Sequence, residues 1–322
     1  MTNFQVYKKT LIFSVLMFIV DLFILLIIAG LAILGFVIMD KVNNKALIGL
    51  VVGLVVGIIL TILIDIFILN RMKAAQISMM TMGVVDNKLP DKPLKEGFTL
   101  LKGRFGRITG FYFITHAIKG IFRQIGRGIE RVGSAVGGDV GEGVASAVNS
   151  AIQILIGYMC DCCMGWILYR KNVNGFKAGC EGAVIFFKHG KTLIRNVGRI
   201  FGIGFLSFAV IGGAFFGISY LIFNQFPSLF DTLAKEIVEF STRNNANLPD
   251  ALKDPKILSL IASGIIGVVV WGMLHSILIR PFILVGVLRN FMAAGIKDMP
   301  TEKDFDTLAA KSPKFAKLQS KI

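Results

Sequence analysis

GYMCDCCMGWILYRKNVNGFKAGCEGAVIFFKHGKTLIRNVGRIF, residues 157–201, decides the fold. An apolar run ends in a knot of cysteines and breaks at Arg170-Lys171. An amphipathic basic segment follows, and a second apolar run opens at Ile200. A chain that leaves a membrane, lies along its surface and goes back in reads this way. From Phe176 to Arg199 the spacing is helical. Lys177, Glu181, Lys188, Lys191 and Arg195 recur at three, four or seven residues and share a face. Phe176, Cys180, Val184, Phe187 and Ile194 lie on or near the opposite face. The pattern predicts a helix in the lipid interface, with Lys177, Lys188, Lys191 and Arg195 at anionic headgroups. Asn174-Gly175 before it reads as a turn.

Composition supports the bilayer. Of 322 residues, 54% are apolar and 17% charged, with mean hydropathy +0.71, against about 25% charged in a soluble domain. The net charge of +15 sits in loops beside apolar runs. That distribution orients a membrane protein and argues against a nucleic-acid partner, which needs a basic groove on a soluble fold. Cys160, Cys162, Cys163 and Cys180 make no disulfide framework. No cleavable signal peptide and no N-x-S/T site is evident.

The expected fold is an all-α integral membrane protein of about six transmembrane helices, near 10–39, 46–70, 108–124, 144–169, 200–223 and 257–279. Amphipathic helices on the cytoplasmic side accompany them. Residues 1–296 form one polytopic domain and 297–322 a basic cytoplasmic tail. The first run is about 45 Å long as a helix, against a hydrocarbon core of about 30 Å. In the second, Gly49, Gly53 and Gly57 stand four apart, a stripe that admits another helix closely. It serves a homo-oligomer or packing within one chain. Arg71–Val85 is a Met-rich amphipathic candidate, broken by Leu89-Pro90-Asp91-Lys92-Pro93. Leu229, Phe230, Leu233, Ile237 and Phe240 mark a short amphipathic helix, and Arg280-Pro281 a kink.

Loops 71–107 and 170–199 and the segment after Arg280 are strongly basic; 40–45, 126–142 and 224–256 are not. Cytoplasmic loops carry the Lys/Arg excess. Both termini are therefore expected inside the plasma membrane. The weakest crossing is 108–124. If it does not cross, neither does 144–169, which leaves four spans and a re-entrant or interfacial hairpin.

No hydrolytic, phosphate-binding or nucleotide motif is present, so no enzyme activity, cofactor or metal is expected. Cys160, Cys163 and Cys180 match no standard zinc spacing and read best as small apolar side chains. Asp21 and Asp65 are carboxylates inside spans, where such groups face a partner or a wet cavity. With His116, Lys119 and His275 as partners, they are candidates for an ion or substrate pathway. Trp271, eight residues from Ile279, is a candidate for an aromatic cage around an organic cation.

His116, then CDCC at 160–163, FKAGC at 176–180, IRNVGR at 194–199 opening a span, and a last span with His275 occur in that order. Over about 110–290 this resembles the C-terminal half of the choline transporter-like family. The resemblance implies transport of choline or a similar small cation at the plasma membrane. The chain departs from that family in length, in having six candidate spans where the family has ten, and in lacking its glycosylated loop. The residues leave two function classes open. One is a transporter or permease. The other is a non-transporting membrane-organising protein that binds anionic lipid or partners through Arg71–Val85, Phe176–Arg199 and Pro281–Ile296.

Overall fold

A computed structural model describes residues 1–43, 46–102, 119–121, 142–194, 197–243 and 248–321, which are helical with no strand among them. Among them, four helices are long and apolar enough to cross a bilayer: Asn3–Val42, Ala46–Val85, Gly202–Phe223 and Pro255–Lys297. The chain divides into two compact units, Met1–Gly198 with Arg280–Ile322, and Arg199–Ile279.

In the larger unit, α1 (Asn3–Asn43) changes environment along its length. Val6, Thr10, Phe13 and Ser14, in its first turns, are buried. Further along, Ile19, Phe23, Leu26, Ile33 and Leu34 are exposed. Apolar surface in water costs roughly 25 cal/mol per Å², so hydrocarbon is the solvent this stretch fits. Helix α2 (Ala46–Ile64) returns alongside with a similar exposed apolar surface. The two meet backbone to backbone. A Cβ on Gly35, Gly49 or Gly53 would overlap the facing carbonyl of Gly49, Gly35 or Leu31, and one on Gly57 would come 3.2 Å from Ile28 Cα. The glycine stripe is therefore taken up by α1 of the same chain.

A π-helical turn, Asp65–Leu69, joins α2 to α3 (Asn70–Val85) without a break. Arg71–Val85 was expected on the lipid surface, but its side chains from Met72 to Val84 are largely buried. Helix α4 (Pro93–Lys102) follows a turn in which Asn87 takes φ 53°. Helix α5 (Glu142–Tyr169) buries Ile156, Tyr158 and almost every residue from Cys160 to Leu168. Helix α6 (Gly175–Ile194) buries Ala178 to Phe186, so its apolar face meets protein. Asn174 starts α6 by accepting from Phe176 N–H at 3.0 Å.

Pro281–Ile296, expected as a surface segment, is instead a core helix, α11 (Arg280–Lys297), burying Ile283, Leu284, Val285, Leu288, Phe291 and Met292. At the centre, Phe186 stacks on Phe291 at 4.8 Å and Trp166 meets it edge-on at 6.2 Å. Gly295 is needed there, because a Cβ would sit 2.6 Å from Ile185 Cδ1 and 2.8 Å from the Trp166 ring. The expected tail folds too. Helices α12 (Glu302–Lys311) and α13 (Pro313–Gln319) bury Leu308, Phe315 and Leu318. Thr301 and Asp304 close a reciprocal cap on α12.

The smaller unit runs through α7 (Val197–Ser207), a π turn at Phe208–Gly212, α8 (Gly213–Phe223), α9 (Pro227–Arg243) and α10 (Pro255–Leu274). Gly267 lies against the Gly212 carbonyl, 2.7 Å from where its Cβ would be. The expected amphipathic helix is α9, with Phe230 and Ala234 buried. Asp254 caps α10, accepting from Lys256 N–H at 2.8 Å, with Pro255 at the first position. A further π turn, His275–Ile279, leads to Arg280 and Pro281. Proline removes one backbone donor. The chain stays helical there, and the irregularity falls in the π turn before it. Apart from 119–121, the expected crossing 108–124 lies outside the described residues.

Candidate functional site

A buried charged cluster lies inside the larger unit, where three helices meet. Asp161 sits on α5 among cysteines, and its side chain is only 3% exposed. Lys73 Nζ of α3 lies 2.6 Å from Asp161 Oδ1, and Arg280 Nη2 of α11 donates to Asp161 Oδ2 at 2.8 Å. Both cations keep an outer edge, with side chains 31% and 36% exposed. Lys73 stands four residues beyond one π turn and Arg280 directly after another. Tyr158, one helical turn before Asp161, is 2% exposed, and its hydroxyl has no hydrogen-bond partner among the described residues. The Arg280 guanidinium carbon lies 5.9 Å from the centre of the Tyr158 ring. A buried carboxylate needs paired charge and hydrogen bonds. This one has both, and the cluster keeps a net positive charge.

A second knot ties α5 to α6. Glu181 is buried, accepting from Trp166 Nε1 at 2.9 Å and from Arg170 Nε and Nη2 at 3.1 and 3.3 Å. The spacing had placed Glu181 on the basic outer face, whereas it points inward.

A third cluster clasps α12 to α6. Lys188 donates to Asp298 Oδ1 at 2.7 Å and to Asp304 Oδ2 at 3.1 Å. The hydrogen bond from Lys188 holds the Asp298 carboxyl below its ordinary range. Hydrogen bonds from Thr301, backbone first, do the same for Asp304. The two carboxylates in turn raise the Lys188 ammonium. His189 Nε2 lies 3.1 Å from Asp298 Oδ2, a contact that becomes a hydrogen bond when that nitrogen carries a proton.

The described pathway residues divide between the two units. Asp21 is half-buried on α1, and Asp65 opens the π turn after α2; the two lie within electrostatic reach of one another. In the smaller unit, Trp271 Nε1 donates to Ser207 Oγ at 3.1 Å, and its ring meets His275 at 5.2 Å and Phe208 edge-on at 5.1 Å. Trp271 and His275 are thus brought together. Lys119 is half-buried and reaches Cys160 electrostatically, while His116 lies outside the described residues. Of the expected headgroup ligands, Lys177 is exposed and Lys188 is held in the clasp. The Lys191 side chain and Arg195 lie outside the described residues.

All four cysteines are free and buried. Among the described residues no three His, Cys, Asp or Glu side chains gather as a metal site would require. Two hollows stand out. One, of about 390 Å³, lies on α1 along Gly30, Ile33, Leu34, Val37 and Ile38. The other, of about 610 Å³, lies between α9 and α10.

Sequence reasoning missed Lys73, Asp161 and Arg280 as a group. The signal was present, since Asp161 is a lone charge in an apolar run and Arg280 ends another. No protein-family model, curated protein or solved structure matches this chain.

Proposed function

We propose that this chain is a membrane-organising protein, which holds a packed helical body against an anionic inner leaflet and carries no solute. One observation carries the reading. The segments around Met72–Val84, Cys160–Leu168, Ala178–Phe186 and Ile283–Met292 are buried in the larger unit. A scaffold requires such an interior, and a carrier instead requires a polar cavity beside its spans. Helices α1 and α2 touch through their backbones at Gly35, Gly49 and Gly53, which leaves no room for a solute between them. On the body Lys88, Lys92, Lys95, Lys171, Lys177 and Lys317 are exposed. Each lysine near an anionic leaflet contributes about 1 kcal/mol.

The topology that goes with this reading has four spans and both termini inside. Almost all side chains from Ile156 to Leu168 are buried in protein, unlike the lipid-facing sides of α1 and α2. The loop charge bias then places 71–107, 170–199 and everything after Arg280 on one side.

The test uses purified protein in liposomes that contain a self-quenching fluorescent anionic lipid. Clustering of that lipid around the protein lowers its emission, and a zwitterionic analogue stays unaffected. Equal emission from both analogues would sink the reading. Uptake of radiolabelled choline under an imposed membrane potential is the second arm. Saturable uptake that unlabelled choline competes away would replace the scaffold with a transporter.

A transport reading keeps one specific support, the mutual reach of Asp21 and Asp65 in the first hairpin. Two carboxylates in the inner half of a membrane hairpin suit a cation or proton. The family resemblance makes a choline-like cation the first solute to try.

A further inference from the structure

The Lys73–Asp161–Arg280 cluster has more donors than its carboxylate uses. An ammonium carries three N–H groups and a guanidinium five. Each cation makes one contact to one Asp161 oxygen, and neither has another acceptor among the described residues. Both remain about one-third exposed. Beside them the buried Tyr158 hydroxyl has no partner among the described residues, and a buried polar atom without a partner is costly enough to need an explanation. Lys119 adds a further positive charge close to Cys160.

The cluster also stands at a boundary. Large exposed apolar side chains on the second long helix end at Ile68, and burial within the body begins at Met72. On the last long helix Leu278 and Phe282 are still exposed beside the buried Ile277 and Pro281, and burial is continuous from Ile283 to Val285. On the membrane-organising reading, Lys73 and Arg280 then stand at the level where headgroup phosphates lie.

We infer that Lys73, Arg280 and the Tyr158 hydroxyl form a binding site for one phosphate group, the group that an anionic lipid presents at this level. Arginine offers a planar pair of N–H groups that matches two phosphate oxygens, and lysine adds a point charge. The Tyr158 O–H supplies a directional third contact. Asp161 orients both cations and limits the affinity by its own charge. The inference rests on the membrane-organising reading for its choice of lipid as the source; the chemistry alone also admits soluble phosphate.

The experiment uses full-length protein in nanodiscs of phosphatidylcholine with a minority of phosphatidylglycerol. Native mass spectrometry counts the lipid retained after release. In parallel, radiolabelled inorganic phosphate is offered to protein in phosphatidylcholine alone. The expected result is one retained phosphatidylglycerol that millimolar phosphate does not displace. Tyr158→Phe leaves the ion pairs intact and lowers retention by about three- to tenfold, the worth of one hydrogen bond. Asp161→Asn removes the competing charge and raises retention, the reverse of what a purely structural role would give. Binding of inorganic phosphate with no retained phosphatidylglycerol keeps the site and makes soluble phosphate its ligand. Random retention without phosphate binding, or retention indifferent to both substitutions, overturns the proposal. Choline uptake would overturn the membrane-organising reading and leave the lipid count unchanged, so the two failures are distinguishable.

Discussion

Asp161 shows how one residue holds several helices in register. It is almost fully buried on α5 and is met by a cation from α3 and another from α11. Removing it strands two cations side by side; removing one cation leaves the carboxylate half-compensated. Loss of a partner from a buried ion pair costs about 3–5 kcal/mol. Asp161→Ala is therefore expected to lower the thermal midpoint far more than Lys73→Met, because Arg280 still serves the carboxylate in the latter. A thermal melt followed by intrinsic fluorescence reads both, and equal midpoints would show that the cluster is not structural. The clasp of Lys188, Asp298 and Asp304 titrates differently. Asp298 and Asp304 are depressed in the folded chain, so their contribution is present above the ordinary aspartate value near about 3.9 and is lost as pH falls through the depressed values. Lys188 is raised, so its contribution is present below the ordinary lysine value near about 10.4 and is lost as pH rises through the raised value. Between these limits the three groups hold α12 to α6 independently of pH. Spin labels on α6 and α12 are expected to keep a constant separation from pH 5 to 9 and to broaden in distance near pH 3, within the acid side of that window. Broadening already at pH 6 would show that the Lys188 clasp does not hold the two helices together.

The first hairpin gives an element-scale test of close packing. Gly53 in α2 faces the Leu31 carbonyl of α1 with no room for a Cβ, whereas a Cβ on Gly30 meets nothing within 4 Å. Overpacking costs typically about 1–3 kcal/mol. Gly53→Val is thus expected to lower the thermal midpoint and prise the hairpin apart, while Gly30→Ala leaves both unchanged. A disulfide trapped between cysteines placed at the loop end of the two helices would report the separation. Apolar run length was enough to find α1, α2 and α10, and a four-residue glycine repeat was enough to expect close approach. What the repeat lacks is an address, because a partner helix in the same chain and one in a second copy demand the same small residues. The three amphipathic segments fail for a related reason. Helical periodicity reports that one face avoids water and is silent on whether lipid or protein covers it. Arg71–Val85, Phe176–Arg199 and Pro281–Ile296 read as surface helices, yet the stretches Met72–Val84, Ala178–Phe186 and Ile283–Met292 within them are largely buried in the body. Glu181 carried no sign of the Trp166 and Arg170 donors that turn it inward.

At the scale of the whole molecule, the open question is whether the chain crosses the membrane four times or six. Stretch 126–142 separates the alternatives, because six crossings place it outside and four keep it inside. The burial of Ile156 to Leu168 argues for four. A helix with protein on nearly every side has little apolar surface to give to lipid, and a span without lipid-facing surface must sit at the centre of a larger bundle. The four native cysteines are all buried, which makes them a quiet background for thiol labelling. A cysteine is therefore placed at Ser134, and another at Asp250, whose side chain is 97% exposed on the segment assigned to the outer face. Intact cells are treated with a maleimide that does not cross membranes. Asp250→Cys is expected to label, which shows that the outer face is reached. Ser134→Cys is expected to label only after the cells are permeabilised. Labelling of Ser134→Cys in intact cells would restore six crossings. It would also place α5 through the bilayer and move Asp161 and its two cations from the inner interface into the membrane. The phosphate site would then lose the headgroup level on which it depends.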